Sequence, residues 1–234
     1  MDSTAGTNRH VPEFALVAGA FLSLSFLVAG LVLTGDVTRT LLTSVVILYP
    51  FTAYAVTHSP DPTDVLPPRV TSVVAVVVGC VLGGSVLVSA SEAATELPYA
   101  LFLGALVVAP SAAYHVRYGT PADRLNPLSP VQTAMAAAVG AVAVLGYGLL
   151  VGGAVFAAAT ALLAAVGGGV YARARGGRLD VSTRRRAVAG GALAGVGIVF
   201  VGLTREASAP WLLVGLCVAA VPTLFYALTA PERA

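Results

Sequence analysis

The chain has 234 residues, of which 57% are hydrophobic and only 10% charged, and its formal net charge is +2. A soluble domain carries about 25% charged residues, so most of this chain must lie in lipid, and no nucleic-acid partner is expected. All 13 basic residues are arginine; without a lysine amine there is no Schiff base, which excludes a retinal-type light-driven pump.

Residues 1–12 form a polar cytoplasmic tail with no small-residue cleavage site behind a short apolar region, so the first apolar run is expected to be a retained anchor. Apolar runs follow near 13–33, 38–56, 70–90, 98–115, 131–150, 153–171, 187–203 and 210–228, and residues 229–234 close the chain as a second tail. Each run is about 20 residues, matching a hydrocarbon core of about 30 Å at about 1.5 Å per residue. Barrel strands of about 10 residues with alternating polarity are missing. The proline-rich stretch 57–69 reads as a stiff connector. Between 131 and 171 no polar residue marks a turn, but a single helix there would be about 60 Å long, so the turn is expected at Gly152 and Gly153.

Helix starts carry their own signals. Pro12, Pro68, Pro98, Pro130 and Pro210 stand at or just before the expected first turns, where a missing N–H costs nothing. Ser129 and Gln132 have the spacing of a capping box. Arginine is retained on the cytoplasmic side of short loops. With the first tail inside, Arg39 and Arg205 alone fall on outer turns, while Arg9, Arg69, Arg117, Arg124, Arg173, Arg175, Arg178, Arg184, Arg185, Arg186 and Arg233 fall inside. The expected fold is therefore all-α: a polytopic transmembrane bundle of eight spans in one domain, 13–228, in the cell membrane, with both termini cytoplasmic.

A cadence recurs at the inner ends of the even-numbered spans. Pro50 precedes Tyr54 by four residues, Pro110 precedes Tyr114 and Pro222 precedes Tyr226; the sixth span keeps Tyr171 with Gly167 in place of the proline. Upstream lie small-residue pairs, Gly19 with Ser23, Gly79 with Gly83, Ala136 with Gly140 and Gly191 with Gly195, of the kind that lets helix backbones approach closely. The pattern is that of four parallel two-helix repeats about an axis along the membrane normal. Each proline frees the carbonyl four residues earlier, at Val46, Leu106 and Val218, and each tyrosine belongs at headgroup depth as an aromatic belt.

Chemistry is sparse. No charged residue falls mid-span, which argues against proton relays, intramembrane hydrolysis and carboxylate-bound metal. His10, His58 and His115 all lie outside the middle of the spans, no serine has a base at a readable spacing, and Cys80 and Cys217 read as small hydrophobes. No enzyme activity, metal or cofactor is expected. The segment 172–186, with Arg173, Arg175, Arg178, Arg184, Arg185 and Arg186, is expected to orient the chain and to meet anionic lipid headgroups; a protein partner or a second copy is open. The function expected is a non-catalytic scaffold, accessory subunit or sensor. The alternative is a facilitator for a small neutral solute or lipid.

Overall fold

A computed structural model of the chain describes residues 11–120, 126–177, 181–204 and 208–229. Among the described residues the regular structure is entirely helical: α1 (Val11–Thr34), α2 (Val37–His58), α3 (Pro62–Val65), α4 (Pro68–Ser89), α5 (Ala93–Tyr118), α6 (Pro130–Val151), α7 (Ala154–Ala174), α8 (Val181–Leu203) and α9 (Ser208–Thr229). Among the described residues, α1, α2, α4, α5, α6, α7 and the Arg185–Leu203 part of α8 are long and apolar enough to cross a membrane, and the apolar stretch described in α9 is Ala209–Thr223. The protein is thus a helical integral membrane protein. It divides into two compact units, Met1–Val74 and Ala75–Ala234, with the division inside α4.

In the first unit α1 and α2 form an antiparallel hairpin. Gly35, at φ +67°, makes the turn, and the Asp36 side chain caps α2 by accepting from the backbone N–H of Arg39 at 3.0 Å. Gly19 on α1 lies against Phe51, and Gly30 against Thr40, so closely that a methyl on either glycine would overlap its neighbour. Between these contacts the buried Ser23 hydroxyl donates to the Ser44 carbonyl at 2.8 Å, and the Ser44 hydroxyl to that of Thr40 at 2.9 Å. Lipid tails are as apolar as leucine, so close approach and such hydrogen bonds, rather than escape from water, hold the pair together. The connector beyond α2 contains the single turn α3. Its cap, Asp61, accepts from the Thr63 N–H at 2.9 Å and the Thr63 hydroxyl at 2.6 Å.

In the second unit, too, small residues lie where paired helices meet. Gly79 and Gly83 on α4 face Gly104 and Ala100 on α5; Gly148 on α6 and Gly168 on α7 face Ala157 and Ala137 across their shared seam; Gly191 and Gly195 on α8 face Pro222 and Gly215 on α9. α7 packs against α5, α6 and α9 at once. Its sequence explains how: alanine and glycine occupy nearly every face, and nine of its residues, from Ala154 to Ala172, are buried. The core among these helices consists of Ala141 and Leu145, four alanines of α7, and Val214, Cys217, Val218 and Val221 of α9. Cys217 is packed there as the small hydrophobe expected. Ser129 and Gln132 exchange both bonds of the capping box, and Gly152, at φ +83°, turns α6 into α7.

Three local expectations are corrected. Ala136 and Gly140 are both exposed, and α6 offers Ala134, Ala137 and, further along, Gly148 to α7 instead. The stretch 172–186 is mostly helix rather than loop, because α7 continues to Ala174 and α8 begins at Val181. Pro98 is not a first-turn proline, since α5 starts at Ala93 and places it in the helix interior. The Ala94 carbonyl, freed by that proline, is claimed by the Tyr147 hydroxyl of α6 at 2.8 Å.

Candidate functional site at the helix ends

Along α2, Val46, Pro50, Tyr54 and His58 share one exposed face at a spacing of four, as residues i and i+4 do on a helix. The Tyr54 ring stacks on His58 with centroids 4.0 Å apart and planes 17° from parallel. His58 Nδ1 lies 3.1 Å from the Tyr54 carbonyl, which ties the ring to the last turn.

α5 ends in the same way. Leu106 and Pro110 are exposed, Tyr114 is half-buried, and its ring meets that of Tyr118 at 4.9 Å, with the Arg117 guanidinium 5.5 Å from the Tyr118 centroid. An aromatic four residues beyond the tyrosine therefore extends the cadence in both helices. The spacing was present in the sequence as Tyr54 with His58 and Tyr114 with Tyr118.

On α7, Tyr171 is half-buried and Gly167 faces open space. On α9 the proline faces inward. The Cγ of Pro222 sits where a Gly191 Cβ would be, and the Val218 carbonyl it frees points at the same glycine, 3.0 Å from that Cβ position. The Tyr226 side chain lies outside the described residues.

The ends of α5 and α7 come together. Pro98 packs on Gly153 at one end of the pair, and at the other Arg175 Nη2 donates to the Gly119 carbonyl at 3.3 Å, so the two helices run parallel. A cation beside two helix C-termini also complements their dipoles. Two polar atoms in this region are buried without a partner, the hydroxyl of Ser111 and Nε of Arg175. Composition alone did not single out Ser111, although it directly follows Pro110.

The arginines separate by position. Arg173 is exposed on the last turn of α7, Arg175 caps that helix and is half-buried, and Arg185 and Arg186 are exposed near the start of α8. Arg178 and the side chain of Arg184 lie outside the described residues. No group of three or more metal-ligating side chains occurs among the described residues. In the first unit, one groove runs along α1 beside Phe21, Leu24 and Val28 and another sits at the α1–α2 turn beside Thr34, Asp36 and Arg39; Tyr54 lines neither.

These helix ends bring aromatic rings and guanidinium groups together. Comparison with protein-family models, with curated proteins and with solved structures matches the chain to none of them.

Proposed function

We propose that this protein is an eight-span component of the cell membrane, both termini cytoplasmic, acting as a non-catalytic scaffold, accessory subunit or sensor. The observation that carries this reading is the interior shared by α6, α7 and α9, which is filled by alanine, Leu145, Val214 and Val221. Transport and intramembrane chemistry use polar or ionisable groups held at depth. Here the residues at depth serve close packing: the glycines let backbones meet, and the buried Ser23 and Ser44 spend their hydroxyls on helix carbonyls.

The alternative, a facilitator for a small neutral solute or lipid, draws support from the parallel run of α5 and α7 and from the exposed prolines of α2 and α5. Stopped-flow volume changes of proteoliposomes challenged with water, glycerol and urea separate the two. The expected result is the permeability of protein-free vesicles. A rise of about tenfold that disappears in Tyr114→Phe would replace the scaffold reading with the facilitator.

A further inference from the structure

We infer that Arg185 and Arg186 form a docking surface for the phosphate headgroups of acidic phospholipids, and that Arg175 is excluded from it. The inference needs only membrane residence and is independent of the choice between scaffold and facilitator.

Arg185 and Arg186 directly precede the uncharged run 187–203 of α8, so the guanidinium groups stand where hydrocarbon gives way to headgroups. Both side chains are exposed. At about 3.6 residues per turn their directions differ by about 100°, so they reach different lipids, or the two sides of one headgroup.

Among its described residues, α8 holds no partner for these charges. Cations near the N-terminal end of a helix oppose its dipole, and no acidic residue stands in the first turn of α8. Within the second unit the acids among the described residues are Glu92 and Glu96, at the start of α5. That end of α5 lies by the α6–α7 turn, where Pro98 meets Gly153; the short connection from Arg175 to Val181 puts the start of α8 at the opposite end. Among the described residues of the second unit, no carboxylate stands at the Arg185 end. At this depth the abundant anion is lipid phosphate, which a guanidinium grips with two parallel N–H donors.

Arg175 differs in kind. Its Nη2 is engaged by the Gly119 carbonyl and its Nε is shielded from solvent. Beside it end α5 and α7, whose C-terminal carbonyls repel an anion. It joins two helices rather than facing the bilayer.

The test uses the full chain in bilayers of phosphatidylcholine containing spin-labelled phosphatidylglycerol or spin-labelled phosphatidylcholine. The protein should select phosphatidylglycerol, and the preference should fall in 0.5 M salt. Arg185→Gln with Arg186→Gln should weaken the preference by roughly fivefold per arginine, Arg185→Lys with Arg186→Lys should keep most of it, and Arg175→Gln should leave it intact. Absence of selectivity in the natural chain, its persistence in the double glutamine variant, or an equal loss in Arg175→Gln would each overturn the inference. If the double glutamine variant does not insert, the salt response of the natural chain and the Arg175→Gln arm decide it.

Discussion

The hydroxyl of Tyr147 donates to the carbonyl of Ala94, the acceptor that Pro98 leaves without its partner in α5. A freed carbonyl in lipid has no water to turn to, so a neighbouring helix must supply the donor. Tyr147→Phe should cost about 0.6 kcal/mol, the average for interhelical hydrogen bonds in membranes. In a Pro98→Ala background, where α5 regains its own N–H, the same change should cost almost nothing. Unfolding in mixed micelles across the four chains of the cycle measures this coupling; additive losses would remove the claimed link.

Gly195 and Gly215 meet backbone to backbone, with the Cβ position of Gly195 2.5 Å from the Gly215 carbonyl oxygen. Gly195→Ala should therefore force α8 and α9 apart and lower stability by about 1–3 kcal/mol. Gly197→Ala, two residues on and facing open space, should be neutral or slightly stabilising through helix propensity. Thermal unfolding of the two variants side by side makes the comparison, and an equal effect would contradict the seam.

Ser23→Ala removes the buried hydrogen bond to Ser44 across the first hairpin. The expected loss is about 0.6 kcal/mol, the average for interhelical hydrogen bonds in membranes. Ser25, whose hydroxyl donates within its own helix to Phe21, is the control, and Ser25→Ala should show no comparable loss.

Topology follows from the hairpins. A reporter fused after Gly153 and one fused after Gly177 should lie on opposite sides of the membrane, because α7 separates them. The Gly177 fusion should share a side with both termini. Activity of a reporter that functions only in the cytoplasm settles each position, and the same side for both would undo the α6–α7 hairpin as a membrane-crossing pair.

Asp61 carries the pH response of the connector. Hydrogen bonds from the Thr63 hydroxyl, and then from the Thr63 backbone, hold its carboxyl below the ordinary carboxylate range. Because the folded form favours ionised Asp61, the cap contributes fully above about pH 3.9, the ordinary value for the unfolded chain. Its contribution fades as pH falls through the lowered folded value. Exchange of the Thr63 amide should accelerate relative to its neighbours on acidification, and in Asp61→Asn this pH dependence should vanish.

Much of this architecture was written in the pattern of apolar runs. Their length gave helices rather than strands, and the φ of Gly152 matches a turn that length alone placed there. The small-residue pairs on α1, α4 and α8 also pointed to the seams they occupy. The pair on α6 misled, since in a helix as alanine-rich as α6 every face looks like a packing face. The start of α5 was equally hidden. Proline at a first turn and proline inside a helix look alike until the partner of the freed carbonyl is known, and that partner, Tyr147, is 53 residues away.

What the amino-acid order by itself determined is that this chain lives in lipid as a set of paired helices, because transferring so many apolar side chains and so few charges leaves no other stable solvent. Only the tertiary structure decided which polar groups are already engaged. It turned Arg175 toward Gly119, left Arg185 and Arg186 facing outward, and set Pro222 against Gly191 while Pro50 stayed exposed. Such choices depend on which helix lies next to which, and in a bilayer that is settled by close packing and directed hydrogen bonds; small residues at a spacing of four mark a packing face but not the helix that covers it.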